Sequence, residues 1–425
     1  MNRPAIHCRA IFSFSFMLAA NLSRTEEFMP ACASPFVAAC AGALLSEVLQ
    51  HRLVSRVEIS DEDIARIKAL ENERVVITPN HPTNTDPALV FKLSRRAGIP
   101  FHYLCCREAF DGWNGLWGKV IQRLGAYSVV RGTIDRESFR YSRELLAKPK
   151  SKLVIFPEGE VYSQNESLLP FQVGAIQLAL WGLEEARKTE PNAEIFLLPI
   201  GLRYRFAEDV RPELERKIKR MESKLKLPLL EQSDVTNNLY GRMRRIAVAV
   251  LSAVEEEYSL DEKAETEKTE TDDLTPRFMA AKEARLARAA SLLDVKQMPK
   301  GTLPERMRVL LHRAEEELHE TDEESTPFAI AKQRRDRILL AWRDLERLAN
   351  WIAVYDGYAA QNPSPERIAE VVFRLENDVC GNATYAGPRV ATIKVGEPIK
   401  LPEKIARSEM PQWTQKLENA VAALL

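Results

Sequence analysis

The 425-residue sequence predicts an α/β fold, a mixed, largely parallel sheet flanked by helices, with a large all-helical insertion. Three observations carry this. Short β-branched runs alternate with helix-patterned stretches between about residues 70 and 205. Strand signals then nearly vanish from 208 to 378, where Glu, Arg, Lys, Leu and Ala dominate. One clear strand pattern, Arg389-Val390-Ala391-Thr392-Ile393-Lys394-Val395, returns near the end.

Taken in order, residues 45–70 place Leu45, Val48, Leu49, Leu53, Ile64, Ile67 and Leu70 at helical spacing, which predicts one or two lead-in helices. Strand-like runs follow at 75–77, 99–104, 126–130, 153–156 and 195–200, the last broken by Pro199. Helical patterns fill the gaps at 87–96, 116–123, 134–147 and 171–188. Such alternation argues for a sheet covered on both faces, with sites in the loops at strand ends. Helices are expected near 212–225, 235–258, 276–293, 304–318, 327–355 and 365–377, several opened by a proline. Residues 261–273 contain almost nothing apolar and predict an acidic linker, 261–275. The late strand is best accommodated as an added strand of the first sheet. The predicted organisation is therefore an apolar N-terminal segment (1–44), an α/β domain (45–207), a helical insertion (208–385) and a returning strand with a terminal helix (386–425).

Charged residues make up 28% of the chain and the net charge is −1, without the domain-wide basic excess of a nucleic-acid binder. The six cysteines show no Cys-x-x-Cys pair and no zinc spacing, and Cys105-Cys106 read as buried apolar thiols. No metal is implied. No stretch reaches the roughly 18 apolar residues of a membrane span. Residues 10–20 are apolar and follow Arg3 and Arg9, and a second apolar run, 31–49, follows Met29. A targeting segment competes here with a start at Met29 or a membrane-surface anchor.

The chemistry centres on Asn80-His81-Pro82-Thr83-Asn84-Thr85-Asp86, between a strand and a helix that Asp86 is placed to cap, with Pro87 at its first position. A carboxylate accepting from one imidazole nitrogen fixes the tautomer and leaves the other free to take a proton from a hydroxyl. The competing reading is a loop histidine beside a helix-capping aspartate. Downstream, Leu124-Gly125-Ala126-Tyr127-Ser128-Val129-Val130-Arg131 is a strand ending in a guanidinium, a planar fork for phosphate or a surface ion pair with Glu108 or Asp111. Leu153-Val154-Ile155-Phe156-Pro157-Glu158-Gly159 is an apolar strand stopped by proline, which presents Glu158 at the sheet edge, where it can hold a polyol hydroxyl.

Together these residues resemble the glycerolipid acyltransferase family, of the 1-acylglycerol-3-phosphate acyltransferase type. Its first block, Asn-His-x-x-x-x-Asp, matches Asn80, His81 and Asp86, and its second, Gly-strand-Arg, matches Gly125 and Arg131. Its third matches Phe156-Pro157-Glu158-Gly159 with Pro170-Phe171-Gln172-Val173-Gly174-Ala175, and its fourth Leu198-Pro199-Ile200. Gly396-Glu397-Pro398-Ile399 is similar to the strand that closes the family's sheet. The resemblance covers about 70–205 and 388–402.

It implies an enzyme with His81 as general base and Asp86 as its orienting partner. Asn80, Arg131, Pro157, Glu158 and Gly159 would bind the acceptor, Arg131 through its phosphate. The donor would be an acyl-CoA or acyl-carrier-protein thioester and the acceptor a lysophospholipid or glycerol phosphate, with no other cofactor and no nucleic-acid partner. The setting would be cytoplasmic, at a membrane surface. The sequence departs from the family where a Ser or Thr and then a basic residue usually follow Phe-Pro-Glu-Gly. Here Glu160-Val161-Tyr162-Ser163 stand instead, and Arg107 or Arg136 would have to compensate. This leaves open another acceptor, such as an amino-acid lipid, and a non-catalytic lipid-binding scaffold built on the helical insertion. Trp113, Trp117 and Phe110 fit either an acyl tunnel or core packing, and His102 reads as a core histidine. Glu316-x-x-His319, beside His312 and Glu315, lacks the partner motif of a di-iron bundle and reads as a solvated helix face.

Overall fold

All six residues of strand β2 (Arg74–Pro79) are buried. Val75, Val76 and Ile77 give it the β-branched character that suits a strand covered on both faces, and burying each such side chain contributes about 1.5–3 kcal/mol. The computed structural model describes residues 27–113, 115–131, 135–228, 239–260, 273–320, 328–352, 354–360 and 363–425. The contacts divide the chain into an α/β unit, residues up to Glu208 with Pro388–Leu425, and a helical unit between them, Asp209–Gly387.

In the α/β unit β2 lies between β5 (Lys152–Val154) and β6 (Ile195–Phe206), parallel to both. β5 leads on to β3 (His102–Cys106) and β4 (Ala126–Val129), again parallel. On the other side β6 pairs antiparallel with β7 (Arg389–Val395), which pairs parallel with β1 (Val54–Ile59). The order is β1-β7-β6-β2-β5-β3-β4, and a two-residue β8 (Ile399–Lys400) adds to the start of β6. The sheet is thus mixed and largely parallel. Its helices are α1 (Pro35–His51), α2 (Asp61–Ala69), α3 (Asp86–Ala97), α4 (Leu116–Arg123), α5 (Arg136–Ala147) and α6 (Gly174–Arg187), with α13 (Met410–Ala422) at the end. Alternation along β2 separates two cores: Val75 and Ile77 pack with residues of α1, α2 and α3, Val76 with residues of α5, α6 and α13.

Four sequence expectations change here. β1 interrupts the lead-in helices; only Val54 and Ile59 of its six residues are buried, so its apolar signal is thin. β3 begins at His102, and Ile99 and Phe101 enter the core from the preceding loop. β6 is not broken at Pro199, which sits in register opposite Thr78 while its carbonyl accepts the Gly396 N–H at 2.9 Å. α6 starts at Gly174 rather than at 171, and the Gln172 N–H ahead of it is bound to the Pro157 carbonyl at 2.8 Å.

The helical unit contains α7 (Arg211–Lys224), α8 (Leu239–Glu257), α9 (Thr275–Leu292), α10 (Leu303–Glu320), α11 (Phe328–Trp351) and α12 (Pro365–Cys380). Proline at N1 or N2 opens α7, α9 and α12, and Ser364 caps α12. The unit buries charge as well as apolar surface: Lys217 and Glu376 pair at 2.5 Å with both side chains inaccessible. His312 pairs with the half-exposed Glu316 on α10. The expected linker, 261–275, and the side chain of His319 lie largely or wholly outside the described residues, as does the N-terminal stretch 1–26.

Candidate active site

β2 ends at Pro79, and the chain turns through His81 into α3. Asp86 does not cap α3 as predicted. Thr85 is the cap residue, without a side-chain bond, and Asp86 and Pro87 are the first and second helical residues. The Asp86 carboxylate instead turns back into the loop and is fully buried. Its Oδ2 lies 2.8 Å from His81 Nδ1 and accepts the Thr83 N–H at 2.8 Å. Its Oδ1 accepts from the Tyr204 hydroxyl at 2.5 Å, with the Thr83 hydroxyl at 3.0 Å. Beside an ionised Asp86, Nδ1 carries the proton and Nε2 presents its lone pair. Phe156 stacks on the imidazole, 4.0 Å between centroids. A histidine held on one edge and one face, with a single basic nitrogen left, is equipped to take a proton from a hydroxyl.

Tyr204 and Thr83 escaped the sequence reading. Tyr204 lies 118 residues from Asp86 and reaches it because β6 runs on past Ile200. Burial, then the charge of Asp86, keeps its hydroxyl protonated, and the Arg389 guanidinium lies over its ring at 4.8 Å. Asn165 clamps the Tyr204 backbone from both sides, at 2.5 and 2.6 Å.

The other predicted residues divide into groups. Asn80 is buried and bridges to β6, accepting the Leu202 N–H at 2.7 Å and donating to the Leu202 carbonyl at 3.0 Å. Glu158 is buried rather than presented at the sheet edge: Oε1 accepts the His81 N–H at 2.7 Å and Oε2 the Leu169 N–H at 3.1 Å. Burial raises its pKa to about 7 against the pull of these two bonds. Pro157 contributes the carbonyl that holds Gln172. Gly159 has φ +76°, a left-handed conformation in which glycine is favoured. Gly125 is required by its turn, with φ +97° and the Phe101 carbonyl oxygen 2.6 Å from a Cβ.

Arg131 follows β4, at the same carboxyl edge of parallel strands as His81. Its Nη1 pairs with Glu160 at 2.5 Å and its Nη2 approaches Glu108 at 3.7 Å. Burial opposes this charge, and Glu160 and then Glu108 outweigh it, so the guanidinium stays firmly protonated. Of its expected helpers, Arg107 is buried and tied to Asp111 at 2.7 Å, and Arg136 lies exposed at the start of α5. The bond with Cys105, then burial, pushes the Cys106 thiol well up, which makes it a poor nucleophile. His102 is half-buried, and desolvation lowers its pKa. Phe110 is core, whereas Trp113 is exposed and meets Trp117 edge-on at 5.5 Å.

A mixed α/β sheet carrying a carboxylate-oriented histidine at its carboxyl edge defines a domain suited to proton abstraction from a hydroxyl. Residues 56–202 match the family model described as Acyltransferase, which marks this stretch of the α/β unit as an acyltransferase-family domain. The match runs from β1 almost to Tyr204. No curated protein matches the chain. Among the described residues no helix is long and apolar enough to cross a membrane.

Proposed function

We propose that this acyltransferase moves a fatty acyl group from a CoA or carrier-protein thioester to a hydroxyl of a lysophospholipid or glycerol-phosphate-type acceptor. The observation that carries the reading is the 2.8 Å contact between His81 Nδ1 and the buried Asp86 carboxylate, which directs Nε2 outward as a base. Nε2 takes the acceptor's hydroxyl proton as its oxygen attacks the thioester carbonyl. The tetrahedral intermediate collapses, the C–S bond breaks, and the leaving thiolate recovers the proton from the imidazolium. The products are an ester and a free thiol. No enzyme nucleophile is needed, and no acyl-enzyme forms. The Thr83 and Tyr204 hydroxyls hold Asp86, and Glu158 holds the His81 backbone, so each acts by positioning. A membrane-surface setting is supported by Phe36 and Leu44 on α1 and by Trp113 and Leu116 before and within α4, all large apolar side chains exposed to solvent.

The test is transfer of labelled acyl groups from each donor type into a panel of lysolipids. His81→Ala should lose activity by about 10²–10⁴-fold, the usual weight of a general base. Tyr204→Phe should lower kcat about tenfold or more with KM little changed, as expected when one hydrogen bond to a charged group is removed. Wild-type protein that transfers nothing from either donor would shift the reading to a lipid-binding scaffold.

A further inference from the structure

Two guanidinium groups, Arg131 and Arg107, stand in this corner against three carboxylates, Glu160, Glu108 and Asp111. The cation best placed to grip a phosphate is thus already paired, with Glu160 on one nitrogen and Glu108 beside the other. The pairing is built in. Glu158, anchored by the backbone N–H groups of His81 and Leu169, fixes the strand end, and Gly159 turns the chain at φ +76° so that the next residue, Glu160, meets Arg131. Glu160 and Glu108 are themselves largely sheltered, with side chains 15% and 9% exposed. Arg131 Nε is buried and has no hydrogen-bond partner among the described residues, so it offers nothing toward the surface. Glu158, two residues before Glu160, accepts the His81 N–H at 2.7 Å, and Arg131 follows a parallel strand of the same sheet, so His81 and the Arg131 corner share the carboxyl edge of that sheet.

We propose that Glu160 sets the charge of the acyl acceptor: the hydroxyl substrate that enters beside His81 presents an ammonium group to the Arg131 corner, not a phosphate monoester. This rests on the acyl-transfer reading above and narrows it. A dianionic phosphate would have to displace Glu160 from Arg131 and would still face Glu108. An ammonium group finds carboxylate oxygens in place, with the guanidinium keeping their charge in balance. The chemistry is shared by a lysophospholipid with an ethanolamine head group and by an amino-acid lipid with a free hydroxyl.

The experiment uses the full chain and measures kcat/KM for lysophosphatidic acid, lysophosphatidylethanolamine and a hydroxyacyl amino-acid lipid. At least one ammonium-bearing acceptor should exceed lysophosphatidic acid by at least about tenfold, and which one does so names the source. Glu160→Gln should close that gap by about tenfold, chiefly through KM for the phosphate acceptor. Should the variant fold poorly, salt titration of the wild type decides. Rising ionic strength should improve transfer to lysophosphatidic acid and weaken transfer to the ammonium acceptors. A wild type that prefers lysophosphatidic acid, a ratio unmoved by Glu160→Gln in folded protein, or the opposite salt trend would overturn the proposal while leaving acyl transfer standing. Absence of transfer to every acceptor would instead remove the acyl-transfer reading and this proposal with it.

Discussion

The Glu158 carboxylate sits between opposed demands. Burial raises its pKa to about 7, while the N–H groups of His81 and Leu169 favour the charged form. Its ordinary value is 4.5, so between these two pH values the folded state binds the proton that the unfolded chain releases. Stability from this group is therefore fully present below about pH 4.5 and is lost as pH rises through about 7. Chemical denaturation from pH 5 to 8 should show wild-type stability declining across this window, with a flatter profile for Glu158→Gln. The variant should also be weaker by about 1–3 kcal/mol at low pH, because its amide N–H₂ faces a backbone donor. Parallel profiles would mean that Glu158 titrates far from this range. At this scale sequence spacing reveals only what is local. His81 and Asp86 lie five residues apart, and their pairing was legible; Tyr204 and Asn165 reach the same site through β6 pairing, which spacing does not encode. Glu158 and Asn80 stood out in the sequence as candidates, but their buried bonds to distant backbone were not legible there.

Among the elements, the strands and helices around β2 followed from periodicity, whereas β1 did not, because an edge strand with two buried residues has little apolar alternation to read. α1 is the converse case. Its sequence is apolar all round, with no charged residue before Glu47, yet only Leu45 and Leu49 are buried. Phe36, Leu44 and Val48 are exposed, spaced at multiples of four residues along one face, with Cys40 between them. If that face meets lipid, Phe36→Ser with Leu44→Ser should weaken sedimentation with phosphatidylcholine–phosphatidylglycerol vesicles by about tenfold or more, since each buried side chain contributes about 1.5–3 kcal/mol. Thermal stability should hold, because Leu45 and Leu49 remain against the sheet. Unchanged sedimentation would place lipid contact elsewhere, with Trp113 and Leu116 the next pair to test.

Across the whole molecule, the helical unit leaves and re-enters the α/β unit at one point of the sheet. Phe206, the last residue of β6, pairs with Arg389, the first of β7, and Ala207 N–H donates to the Pro388 carbonyl at 2.9 Å. β6 and β7 are thus two arms of an antiparallel pair whose connection is the entire helical unit, Asp209–Gly387. Ends this close are what a short hairpin loop of about two to five residues spans. The sheet's register is also fixed without that unit. Asp63 on α2 accepts the Val395 N–H at 2.7 Å, Arg66 donates to the Val395 carbonyl at 2.8 Å, and β8 holds β6 through Phe196 and Leu197. Replacing the helical unit with a Gly-rich loop of about four residues should therefore leave a cooperatively folding α/β protein that retains acyl transfer. Circular dichroism melting and the transfer assay separate the outcomes. A protein that melts cooperatively but transfers nothing would assign the helical unit a part in the reaction. One that fails to fold would show that the sheet depends on it. A protein that folds and transfers would leave the helical unit free for another role, with His81, Asp86, Tyr204 and the Arg131 corner sufficient for the chemistry.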